Sequence, residues 1–104
     1  MFVSERPGMT TEKILSVVEK YRKDFERRNI PKTRMDPKKT LGSLSSEERL
    51  AHAHFLLDGI AEYAKNPDKK GKTGRHLASV QMILSFENWY TLEELMDHNR
   101  PDKC

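Results

Sequence analysis

The stretch from Thr73 to Pro101, TGRHLASVQMILSFENWYTLEELMDHNRP, constrains the fold more than any other part of the chain. It holds the single Trp and two of the four His, and its apolar residues leave almost no face of a helix polar. At about 100° per residue, Leu77, Val80, Ile83 and Leu84 form one stripe, while Ala78, Met82, Phe86 and Trp89 form a second. Two apolar stripes need two neighbours. Helices elsewhere in the chain can supply them, and a second copy of the protein is the other way to bury both. Self-association through Ala78, Met82, Phe86 and Trp89 is therefore expected, and with it a homo-oligomer.

Prolines and glycines divide the rest of the chain. Residues 1–9 contain Pro7-Gly8 and no periodic pattern, and read as a flexible arm. Thr10 or Thr11 caps a first helix over about 10–29, with Ile14, Val18, Tyr21 and Phe25 on one stripe and Leu15 and Val17 widening it. Asn29 and Pro31 end it, and 31–44, with Pro37 and Gly42, is a basic connector. Ser45 and Glu48 make a capping box that opens a helix over about 45–65. There Leu50, Ala53, Leu56, Leu57, Ile60, Ala61 and Ala64 share an apolar arc. Phe55 lies nearly opposite, and with Ala51 it offers a partner surface. Asn66 to Gly71 is a turn before a third helix over about 73–90. Thr91 and Glu94 form a second capping box, Tyr90 and Leu95 have staple spacing, and a short helix over about 91–99 stops at Pro101. No strand-like alternation occurs. The expected fold is all-α, a bundle of three main helices with a short C-terminal fourth, in one domain over 10–104.

A chain of 104 residues with 36% hydrophobic and 34% charged content suits one modest core. No run approaches the roughly 18 apolar residues that span a bilayer, and the first residues lack the order of a secretory signal, so a cytoplasmic protein is expected. Cys104 is the single cysteine and can form neither an internal disulfide nor a thiolate metal site. Charge is uneven: Lys20, Arg22, Lys23, Arg27, Arg28, Lys32, Arg34, Lys38 and Lys39 stand against Asp24, Glu26 and Asp36, whereas 87–104 is acidic. Nucleic-acid binding through Arg22, Arg27, Arg28, Lys38 and Lys39 is the alternative that this permits. The stretch lacks interleaved aromatics for stacking, and no helix pair reads as a helix-turn-helix.

Candidate chemistry is sparse. Asn66 to Thr73 nearly matches the phosphate loop G-x-x-x-x-G-K-[ST], but its first glycine is missing and a helix, not a strand, precedes it. It reads as a solvated basic turn, whose Lys69, Lys70 and Lys72, with Arg75, are the candidate contacts for a phosphate-bearing ligand. His54 and Asp58 are four apart and can pair; a zinc site would need His76 as well, so no metal is expected. Glu94 and Asp97 have the E-x-x-D spacing of half a magnesium site whose other half is absent. No catalytic residue stands out, and neither enzymatic activity nor a cofactor is expected.

Arg75-x-Leu77-x-x-Val80-Gln81-x-x-Leu84, then Tyr90-Thr91-Leu92-x-Glu94-Leu95 and Asn99-Arg100, resembles the C-terminal part of small uncharacterised proteins encoded by tailed bacteriophages. Those carry an Arg-Trp-Leu-Gly-Phe-Ile-Gln-Gly run; here His76 replaces Trp, Ala78-Ser79 replace Gly-Phe and Met82 replaces the last Gly. The likeness runs from Ser45 onward. Leu44 to Glu48 with Arg75 to Ala78 is also similar to the helical hairpin of phage proteins that sequester cyclic oligonucleotide immune signals, in which case Lys69, Lys70, Lys72 and Arg75 would meet the phosphates. The resemblances imply a phage-type accessory protein in the host cytoplasm, binding a host protein or a signalling ligand in an anti-defence role.

Overall fold

The computed structural model describes residues 9–101. Most of the expected N-terminal arm, and Cys104, lie outside the described residues. Helices are the only extended secondary structure there: α1 (Thr11–Arg27), α2 (Ser46–Ala64), α3 (Lys70–Phe86) and α4 (Leu92–Asn99). No strand occurs among the described residues.

Helix starts follow local chemistry. Thr10 accepts from the Lys13 amide, and the capping boxes at Ser45/Glu48 and Thr91/Glu94 are both closed reciprocally. α3 differs. Its start has no side-chain cap, and it follows a 3-10 turn over Pro67–Lys69, so the helix begins at Lys70 rather than at Thr73 or Gly74. Thr73 is buried and its hydroxyl donates to the Lys69 carbonyl at 2.8 Å, which ties the first turn down from inside.

Two helices end the same way. After α1, Asn29 has φ 57°, the Asn29 amide donates to Glu26 O and the Ile30 amide to Phe25 O. After α3, Asn88 has φ 66°, with Asn88 to Ser85 O and Trp89 to Leu84 O. These are Schellman ends, with asparagine in the left-handed position that glycine usually fills. They fold Ile30 and Trp89 back onto Phe25, whose ring lies 5.2 Å from that of Trp89.

α2 packs on both α1 and α3, and α4 lies against α1. The core joins Val17, Val18, Tyr21 and Phe25 of α1 to Ala53, Leu57 and Ile60 of α2, Leu77, Val80, Ile83 and Leu84 of α3, and Leu95 of α4. The connector runs back along α2, held where the Thr33 amide donates to Ala51 O at 3.1 Å and the Met35 amide to His52 Nδ1 at 3.2 Å. Ala51 is buried beneath it, so it shares no exposed surface with Phe55, which stacks on His52.

Candidate functional site

The outer side of α3 is the most distinctive surface. Its inner stripe is buried, while Met82 is 37% and Phe86 67% exposed. The second stripe expected from the sequence is broken, because α3 ends at Phe86 and Trp89 lies beyond the Asn88 reversal. Trp89 is half-buried inside the chain, on Phe25 and beneath the Arg28 guanidinium at 4.1 Å from the ring centroid. Ala78 is half-buried, which leaves Met82 and Phe86 as the open part of the stripe.

α4 carries further exposed apolar residues. Leu92, Met96 and Asn99 recur at i, i+4 and i+7 along one flank of α4, and that flank turns toward α3, because Asn99 and Gln81 exchange two hydrogen bonds, at 2.8 and 3.1 Å. Leu92 is 48% and Met96 44% exposed. At the other border Arg49 fixes Phe86. Its guanidinium lies 4.9 Å from the Phe86 ring centroid, its Nε donates to Glu87 at 2.6 Å, and its Nη1 donates to the carbonyls of Leu41 and Leu44. Both partners of the Arg49–Glu87 pair are largely buried. Burial pushes the Glu87 carboxyl up, but Arg49 and Ser46 outweigh it and hold it below the usual range. Leu41, whose carbonyl takes Arg49, is also exposed.

A buried polar network anchors α4. Tyr21 Oη donates to His98 Nδ1 at 2.6 Å and accepts from Gln81 Nε2 at 3.1 Å, while Tyr90 donates to Asp24 at 2.5 Å. Burial raises the Tyr21 hydroxyl far above its ordinary value, and burial together with the Asp24 bond pushes Tyr90 up to about 12. Burial and nearby Lys20 lower the His98 imidazole, against the pull of Glu94, Asp24 and Asp97. A neutral imidazole with a free Nδ1 lone pair is the form that can accept from Tyr21.

The other candidate residues are dispersed or engaged. Of the basic stretch, Arg22 bonds Glu19 and Asp58, Arg27 pairs with Asp24, and Arg28 covers Trp89; Lys38 and Lys39 are exposed on the connector. Lys69 and Lys70 are exposed at the start of α3, Lys72 lies 4.6 Å over the Tyr63 ring, and Arg75 is exposed with its guanidinium folded back over Gly71. The groove of about 300 Å³ between connector and α2 is lined by Arg34, Met35, Lys39, Leu44 and Glu47, among others, and includes none of Lys69, Lys70, Lys72 or Arg75.

His54 is not tied to Asp58. Its Nδ1 donates to Ile30 O at 2.8 Å and its ring stacks on Phe25, whereas Asp58 takes Arg22 at 2.8 Å and Lys32 at 3.1 Å. His76 donates back to Lys72 O within its own helix. No group of three His, Cys, Asp or Glu that could hold a metal occurs among the described residues. Among them, too, no helix is long and apolar enough to cross a membrane. Sequence reasoning missed the Tyr21–Gln81–His98–Asn99 network; the one available signal was Gln81, a polar residue flanked by Val80 and Ile83 of the inner stripe.

No family model matches the chain, and neither a curated protein nor a solved structure matches it.

Proposed function

We propose that the chain is a small helical bundle, three long helices with α4 laid against them, that works by binding a partner protein across the outer side of α3 and the adjoining flank of α4. The observation that supports this is the exposure of Met82 and Phe86 on α3 and of Leu92 and Met96 on α4, outside a core that is already closed without them. Large apolar side chains that a core does not need and that stay exposed to water mark an interaction surface. A flat apolar face suits a protein better than a small anionic ligand. The cations that would hold a phosphate-bearing signal do not converge on the groove, and Lys72 is occupied by Tyr63. In the phage-type reading the partner is a host protein, met in the host cytoplasm, and the outcome is anti-defence.

The test is affinity capture from a bacterial lysate with the wild type, Phe86→Asp, and Lys69→Ala combined with Lys70→Ala. The reading expects one or few proteins retained by the wild type and the lysine variant and lost with Phe86→Asp. The same retained proteins in all three would refute the face. A saturable calorimetric signal with a cyclic oligonucleotide, abolished by Arg75→Ala, would replace the protein partner with a signalling ligand.

A further inference from the structure

We propose that the connector is an acid-released strap: the neutral His52 imidazole latches it to α2, and a proton on Nδ1 lets it go. The strap operates whether or not a partner protein covers α3 and α4.

The connector is held firmly at its two ends and lightly between them. Just before it, the Ile30 carbonyl accepts from His54 Nδ1 at 2.8 Å, and Lys32 pairs with Asp58 at 3.1 Å. At the far end the carbonyls of Leu41 and Leu44 take the Arg49 guanidinium at 3.0 and 2.6 Å. Between Lys32 and Leu41, two hydrogen bonds reach α2 among the described residues: Thr33 amide to Ala51 O at 3.1 Å, and Met35 amide to His52 Nδ1 at 3.2 Å. The turn that follows bonds to itself, with the Lys38 amide on Asp36 Oδ1 and the Lys39 amide on Asp36 O.

The two histidines that touch this stretch differ in role. His54 donates from Nδ1 and would donate in either protonation state, whereas His52 accepts at Nδ1, which requires a lone pair there and the ring proton on Nε2. Protonation sets an N–H on Nδ1 against the Met35 N–H, two donors with no acceptor between them, and the bond is lost. The surroundings oppose that charge as well. Burial first, then Arg34 of the connector and His76 of α3, hold the imidazole below its ordinary value, and Phe55 stacks on the ring at 6.1 Å between centroids. Glu48, one turn back on α2, is turned to the Ser45 amide at 2.9 Å, and Asp36 caps the Lys38 amide, so neither carboxylate pairs with the imidazole.

Because the folded value is lowered, the latch is closed above the ordinary imidazole value of about 6.5 and opens as pH falls through the folded value. Release leaves the Thr33 amide as the remaining tie between residues 33–40 and α2 among the described residues. It uncovers Ala51 and opens the groove that Arg34, Met35 and Lys39 wall.

Amide hydrogen exchange of the full chain by NMR, corrected for intrinsic pH dependence and run beside the titration of the imidazoles, tests this. From about pH 7.5 to about pH 5 the Met35 amide should lose roughly tenfold in protection, with the midpoint of the His52 ring, while amides within α2 and α3 stay protected. His52→Asn, which accepts without titrating, should hold Met35 equally well at both ends of that range. His52→Leu, which cannot accept, should leave it unprotected at both. His98→Asn removes the other lowered imidazole and should leave the release of Met35 unchanged. Protection of Met35 that stays constant through the His52 titration overturns the strap, as does an equal acid loss in His52→Asn or full protection in His52→Leu. Loss across α2 at the same midpoint overturns it too, because acid would then be unfolding the helix rather than releasing the connector.

Discussion

Tyr21→Phe removes one oxygen and leaves the ring, so it isolates what the polar network contributes to holding α4. The hydroxyl makes two bonds, to His98 at 2.6 Å and from Gln81 at 3.1 Å, and Tyr21 is fully buried. Each bond contributes about 1 kcal/mol net, and a buried group left unpaired adds about 1–3 kcal/mol. Here that second cost is small. Gln81 keeps its reciprocal pair with Asn99, and His98 is only half-buried, so water can replace the lost donor. The expected loss is about 2 kcal/mol, roughly a 10 °C fall in melting temperature for a domain of this size. Urea unfolding followed by circular dichroism and by Trp89 fluorescence, well above the imidazole titration range, measures it. The slope against urea should stay unchanged, because the packing is kept. A loss under about 0.5 kcal/mol would show that the network is not coupled to stability, and the account of α4 docking given above would fail.

Acid should destabilise the fold through two histidines. His98 is lowered by burial and Lys20, and His52 by burial, Arg34 and His76. Their contribution is complete above the unfolded value of about 6.5 and is lost as pH falls through the folded values; replacing both with Asn, which accepts without titrating, should flatten stability against pH in that window. Arg49→Met should cost about 3–5 kcal/mol in urea unfolding by stranding Glu87, and adding Glu87→Met should recover most of it. Asn88→Ala, at φ 66°, should lower stability by about 1 kcal/mol in thermal melts whereas Asn88→Gly should not, and equal effects would argue against the left-handed helix end.

What the sequence made legible was local. The capping boxes at Ser45/Glu48 and Thr91/Glu94 involve residues three apart, and the structure forms both. The inner stripe of α3 was readable because Leu77, Val80, Ile83 and Leu84 repeat at helical spacing and are all buried. The end of α1 was readable because Pro31 follows Asn29. At Asn88 no proline follows, so the apolar spacing carried the expected helix past its end to Trp89, and a core residue was assigned to the surface stripe. The start of α3 was missed for the opposite reason: no cap marks it, and the burial of Thr73 among other elements sets it. Asp58 sits four residues from His54, yet Arg22 and Lys32 arrive from α1 and the connector and take its carboxylate. Long-range pairing of this kind leaves no mark on spacing.

Polar residues inside the core and apolar residues outside it have a single structural origin in α4. Gln81 is wholly buried and tolerable only if its amide is satisfied, and Tyr21 and Asn99 satisfy it together. Leu95 alone would let an eight-residue helix slide or rotate on the apolar surface beneath it, since hydrophobic contact has little directional preference. Gln81–Asn99 and Tyr21–His98 remove that freedom, because a rotation by one residue would unpair both at once. The orientation that satisfies Gln81 is also the one in which Leu95 is buried and Leu92 and Met96 are left exposed. The buried amide thereby sets which side of α4 stays exposed, and Gln81→Leu, which frees α4 from that constraint, should loosen partner binding even though it makes the core more apolar.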